Sequence, residues 1–236
     1  MRLAEVRVLG YLPRPVNERQ KLSDENRLAN RIAQSMNRLF TRNYHRITVV
    51  SPPPIPEMGA AILVCNHVSG LDPLLIQSAC RRMIVWMMAR EYYDITSLTW
   101  FFKRIDAIPV ERSGRDATAT RAALRALFAG RVLGVFPEGR IETDHELLPF
   151  QTGVALMAIK TRVDVFPAYL DGTQRGKEMI SAFALPNMVT VNFGPAVNFS
   201  RDSTSKEALE EATQQIRLAV LSLRNQMQMR SMQGGR

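Results

Sequence analysis

Asn66-His67-Val68-Ser69-Gly70-Leu71-Asp72 sets an imidazole five positions before a carboxylate. A carboxylate bonded to one ring nitrogen fixes the tautomer. The other nitrogen is then free to take a proton from an alcohol or water. Read alone, the pair has a plainer account: Asp72, followed by Pro73, caps a helix, and His67 is a satisfied loop residue. The two accounts are compatible, because one carboxylate oxygen can cap while the other meets the ring. Two further polar clusters follow. Ile108-Pro109-Val110-Glu111-Arg112 ends in a guanidinium that is either a bidentate donor to phosphate or a plain surface cation. Phe136-Pro137-Glu138-Gly139-Arg140 leaves an acid and a base at a turn that Gly139 permits.

These clusters need elements to hold them, and the patterning supplies a strand before each. Residues 60–65, AAILVC, form a continuous apolar run, as in a strand buried on both faces. Residues 107–110 and 131–136 read as strands before the second and third clusters. Further strands are expected at 46–50, 83–89, 163–170 and 188–194. Helices are expected from Asp72 to about Arg81, and over 95–104, 115–130 and 150–161. Another runs from Thr204, with Glu207 as a capping-box partner, to about 229, with a frayed Met- and Gln-rich end. Alternating strands and helices predict an α/β fold with a mostly parallel or mixed sheet, and ligand sites at the carboxyl ends of its strands.

Residues 24–43 carry Leu28, Ile32, Met36, Leu39 and Phe40 at helical spacing, flanked by Arg27, Arg31, Arg38 and Arg42. Such a helix either packs its stripe on the core or lies in a lipid interface with its arginines on phosphates. The segment before it, to about residue 22, reads as a loose arm. Residues 1–45 are thus an arm and amphipathic helix, and 46–236 a single domain.

The 236 residues are 46% hydrophobic and 22% charged, ordinary for a globular chain. Cys65 and Cys80 make no disulfide framework, which fits a reducing compartment. The opening MRLAEVRVLGYLPRP has no apolar core of signal-peptide length, and no apolar run approaches a membrane span. The expectation is a cytoplasmic protein held peripherally at the inner face of a membrane. Lys plus Arg exceed Asp plus Glu by 31 to 22, giving +9. That balance suits an anionic membrane surface or a phosphorylated substrate. No zinc-finger spacing or aromatic-interleaved basic block favours nucleic acid.

In order and spacing, the clusters resemble the motif blocks of the glycerophospholipid acyltransferase family, which contains the 1-acylglycerol-3-phosphate acyltransferases. NHVSGLDP fits the His-x4-Asp block, IPVER the second, and FPEG the start of the third. VFPAYL, with Pro167, fits a fourth loosely. The third block departs at Arg140 and Ile141, where threonine and arginine are usual. The resemblance covers about residues 60–195. It implies that His67 is a general base and Asp72 its partner. It also implies that Asn66, Arg112, Glu138, Gly139, Arg140 and Pro167 line the acceptor site, with Arg112 on the phosphate. The implied reaction moves a fatty acyl group from acyl-CoA or acyl-carrier protein to a hydroxyl of 1-acylglycerol-3-phosphate. Glycerol-3-phosphate or lysophosphatidylethanolamine are alternative acceptors, and no metal or cofactor is implied. Readings of another class are an acyl thioesterase and a non-catalytic lipid-surface protein. No Gly-x-Ser-x-Gly elbow supports a serine hydrolase.

Overall fold

The computed structural model describes residues 17–95, 99–111, 116–143, 146–177 and 179–234. Seven strands form one sheet: β1 (Thr48–Val49), β2 (Ala61–Cys65), β3 (Ile84–Ala89), β4 (Ile108–Val110), β5 (Val132–Val135), β6 (Val165–Asp171) and β7 (Thr190–Phe193). Their order is β1-β7-β6-β2-β5-β3-β4. All neighbours run parallel except the antiparallel pair β6–β7. The expected mostly parallel α/β sheet is what the chain builds.

Apolar side chains alternate between the faces of β2, and both faces are buried. Ile62 and Val64 pack with Leu133, Val135 and Val165 against α5 (Ala117–Phe128), α6 (Gly153–Thr161) and α8 (Lys206–Gly234). Ala61, Leu63 and Cys65 pack with Ile84, Trp86 and Phe166 against α2 (Asp72–Ala79) and Ala182 of α7 (Met179–Ala184). This double burial is why the strand reads as an unbroken apolar run. Between β3 and β4 the chain forms α3 (Arg90–Tyr93) and α4 (Thr99–Arg104).

Helix α1 spans Asn17–Asn43 and so starts within the stretch expected to be a loose arm. It lies on α2 through polar groups. Asn37 Nδ2 donates to Leu74 C=O at 2.8 Å, and Arg38 donates to the Ser78 and Cys80 carbonyls at 3.2 and 3.1 Å. Ile32, Met36 and Leu39 face outward, Met36 and Leu39 each about two-thirds exposed, at 66% and 67%. Two other local expectations change. The side-chain cap of α8 is Ser205, whose hydroxyl accepts from Ala208 N–H at 3.2 Å, rather than Thr204. The helix also continues to Gly234, past the end expected near 229.

Candidate active site

Strands β2, β5 and β6 lie side by side and parallel, so the loops leaving their carboxyl ends share one edge of the sheet. The loop after β2 carries Asn66–Leu71, and that after β5 carries Phe136–Glu142. The loop after β6 runs through Arg175 to Lys177. Backbone bonds join the three. Glu142 N–H donates to His67 C=O at 2.7 Å, Gly176 N–H to Val68 C=O at 3.0 Å, and Gly70 N–H to Lys177 C=O at 2.9 Å.

His67 and Asp72 meet. Nδ1 lies 3.0 Å from Asp72 Oδ2, with His67's side chain 17% exposed and Asp72's fully buried. The same oxygen accepts the N–H groups of Val68 at 2.6 Å and Ser69 at 2.8 Å. An acceptor already holding two N–H donors takes the Nδ1 proton as its third, which leaves Nε2 bare. Asp72 does not cap its helix. It is the first helical residue after Leu71, and its bonds run back into the loop rather than forward into the first turn. Phe136 stacks on the imidazole at 4.1 Å and 16°, and Trp86 stacks behind Phe136 at 5.0 Å and 10°.

Glu138 is buried and uses both oxygens. Oε1 accepts His67 N–H at 2.8 Å, and Oε2 accepts Leu148 N–H at 2.9 Å. Burial pushes its carboxyl pKa above the usual range, against the opposing pull of these two donors. Asn66 is also buried and bridges to β6, donating to Leu170 C=O at 2.9 Å and accepting its N–H at 2.8 Å. Glu138 therefore holds the His67 backbone from the β5 loop, and Asn66 ties the residue before it to β6. Gly139 has φ +72°, and a Cβ there would run into the Gln151 amide. Arg140 beside it is exposed, with no partner among the described residues. Pro167 is buried inside β6, where its carbonyl accepts Gly194 N–H at 2.9 Å. Arg112 lies outside the described residues.

Neither nearby nucleophile is presented for attack. Burial pushes the Cys65 thiol pKa well above its ordinary value. Ser69 is fully buried, its hydroxyl accepting Leu71 N–H at 3.3 Å. Spacing along the chain did not disclose Trp86, Glu142 or Arg175. Glu142 and Arg175 form an ion pair between the β5 and β6 loops. Charged residues at the carboxyl ends of two buried strands were the one available signal.

The family model for acyltransferases matches residues 46–171, more than half of the chain. A 1-acyl-sn-glycerol-3-phosphate acyltransferase of Bacillus subtilis is 21% identical over 182 residues, 77% of this chain and 89% of that protein. A protein of the same description from Borreliella burgdorferi is 28% identical over 54% of this chain, which spans about half (52%) of that relative's length. Among solved structures, the 1-acyl-sn-glycerophosphate acyltransferase of Thermotoga maritima shares the fold. It has a TM-score of 0.66 at 22% identity, covering 92% of this chain and 85% of that one.

Proposed function

The chain belongs to the acyltransferase family of enzymes, and from that premise we propose that it acylates 1-acylglycerol-3-phosphate from a CoA or carrier-protein thioester. The carrying observation is the His67–Asp72 contact, with Asp72 fully buried and Nε2 left without a partner among the described residues. His67 Nε2 takes the proton of the acceptor hydroxyl as its oxygen attacks the thioester carbonyl. The tetrahedral intermediate collapses, the C–S bond breaks, and the imidazolium returns the proton to the leaving thiolate. The products are an ester and a free thiol. Asp72 steadies the imidazolium, and Glu138 and Asn66 fix its backbone. The inaccessible Cys65 and Ser69 support direct transfer without an acyl-enzyme. Arg112 and Arg140 are proposed to meet the acceptor's phosphate, and Gly139 and Pro167 to shape the space around it.

The acceptor lives in a bilayer, and no helix among the described residues is long and apolar enough to cross one. We infer that the outward stripe of α1 rests on an anionic membrane surface, with exposed Arg31 and Arg42 beside it.

The test supplies palmitoyl-CoA or palmitoyl-carrier protein with 1-acylglycerol-3-phosphate, glycerol-3-phosphate, lysophosphatidylethanolamine or no acceptor, and follows thiol release. Release should depend on 1-acylglycerol-3-phosphate, and His67→Ala should lower kcat by about 10²–10⁴-fold. Release without acceptor would make the protein a thioesterase. Full turnover in His67→Ala would remove the base assignment.

A further inference from the structure

Arg175 stands four residues beyond the segment that the family model matches. Its loop is clasped to the loop of the catalytic pair by the Gly176–Val68 and Lys177–Gly70 backbone bonds. From there its side chain reaches the turn after β5 and pairs with Glu142. Glu142 is itself fixed: its N–H bonds His67 C=O, and its Oε1 accepts Glu146 N–H at 3.1 Å. Arg175 therefore bridges two loops of the site, its backbone anchored beside the loop of His67 and its guanidinium held by Glu142. It is only 19% exposed. Burial lowers its pKa from the ordinary arginine value, and the nearby carboxylates of Asp72 and Glu138 oppose that shift in part. Arg175 thus stands against three buried carboxylates, paired with Glu142 and within electrostatic reach of Asp72 and Glu138. Glu142 engages Nη1, so donors of the five-donor fork remain for a ligand. At Ile141, by contrast, the third block offers an apolar side chain.

We propose that Arg175 determines acceptor specificity by binding the phosphate of the phosphorylated acceptor, with Glu142 holding the guanidinium in place for it. The Glu142 pair keeps the planar group oriented before the ligand arrives, so little side-chain freedom is lost on binding. The proposal rests on the acyl-transfer reading, and its test is built to fail separately from it.

Arg175→Gln and Arg175→Lys are compared with the unaltered protein in two measurements. One is steady-state transfer from palmitoyl-CoA to 1-acylglycerol-3-phosphate. The other is calorimetric binding of glycerol-3-phosphate, which requires no chemistry. Arg175→Gln should raise the acceptor KM and the glycerol-3-phosphate Kd together by about 10- to 100-fold, the worth of a charge-assisted hydrogen bond. The KM for palmitoyl-CoA should stay within about twofold, since a phosphate contact on the acceptor leaves donor binding alone. Arg175→Lys keeps a charge opposite Glu142 but loses the fork, and should fall between. Equal rises in both KM values, or a glycerol-3-phosphate Kd indifferent to residue 175, would overturn the proposal and leave Arg175 a loop clamp. If the unaltered protein transfers no acyl group yet binds glycerol-3-phosphate through Arg175, the proposal stands and the acyl-transfer reading falls.

Discussion

At Gly134 any side chain would meet an indole: a Cβ built there falls well inside contact distance of Trp86 Cε3 and Cζ3. Gly134 and Trp86 are register partners on β5 and β3, on the face that carries α2. The missing Cβ lets the indole lie flat across β5 and stack on Phe136, which in turn backs the His67 ring. Asp72 fixes one edge of the imidazole and Phe136 one face, so two independent contacts set its orientation. Gly134→Ala should therefore cost about 1–3 kcal/mol by overpacking. It should also lower kcat more than it changes either KM, because a tilted base misses the hydroxyl while substrate binding remains. Urea denaturation and steady-state kinetics read the two effects separately. A destabilised variant with full kcat would reduce the stack to packing. The His67–Asp72 contact was legible in the sequence because the two residues lie five positions apart, across one short loop that ends at the start of α2. Trp86, Glu142 and Arg175 were not legible, because they reach the site from other strands. Which loops meet depends on strand order, and spacing along the chain does not carry it.

Helix α1 illustrates what periodicity specifies and what it leaves open. The stripe of Ile32, Met36 and Leu39 marked a two-faced helix, but two-facedness does not say which face meets the body. Here the polar face does. Arg38 satisfies the carbonyls at the end of α2, groups that no intrahelical N–H can reach. At its far end α1 is latched to α7, a six-residue helix too short to leave a periodic signal. Phe40 stacks on Phe183 at 4.5 Å, and Tyr44 Oη donates to Ala184 C=O at 2.7 Å. His45, fully buried just beyond the helix, bonds Asn187 Oδ1 through Nδ1 at 2.6 Å. Its Nε2 is buried without a partner among the described residues, so protonation would strand a donor. Burial holds the His45 pKa below the usual histidine value, although the Asn187 bond pulls the other way. With the folded value depressed, the stabilisation is present above the unfolded value of about 6.5 and is lost as pH falls through the folded one. Wild-type stability should thus drop between pH 7.5 and 5.5 by more than that of His45→Gln, which keeps a donor for Asn187 and does not titrate. The observable is the difference of urea midpoints at the two pH values. Equal drops in both proteins would mean that His45 does not govern the latch.

The outward stripe of α1, the charge of +9 and the position of the site become one argument only for the whole molecule. Phe183, which stacks on Phe40, is itself exposed, as are Leu185 and Met188 in the chain that follows α7, so exposed apolar side chains lie on both α1 and the segment it is latched to. An apolar face of this kind is unfavourable in water and favourable at a lipid interface, where nearby arginines meet anionic headgroups. Helix α1 rests on α2, and α2 begins at Asp72, so one helix separates the proposed lipid contact from the proposed catalytic pair. A membrane-borne acceptor would then be taken up beside the surface that holds the enzyme. Met36→Glu combined with Leu39→Glu tests this, because both side chains are already two-thirds exposed and contribute little to folding. The double variant should unfold within about 0.5 kcal/mol of the parent. Yet it loses two apolar groups from the interface and gains two negative charges facing anionic lipid. Its affinity for anionic phospholipid vesicles should fall at least about tenfold. Parent binding should weaken as salt rises from roughly 0.1 to 1 M, over which the Debye length shrinks from about 10 to 3 Å. Turnover on a short-chain acceptor free in solution should be unchanged, while turnover on acceptor embedded in vesicles drops with binding. Vesicle co-sedimentation identical to the parent's would place the lipid contact elsewhere on the molecule.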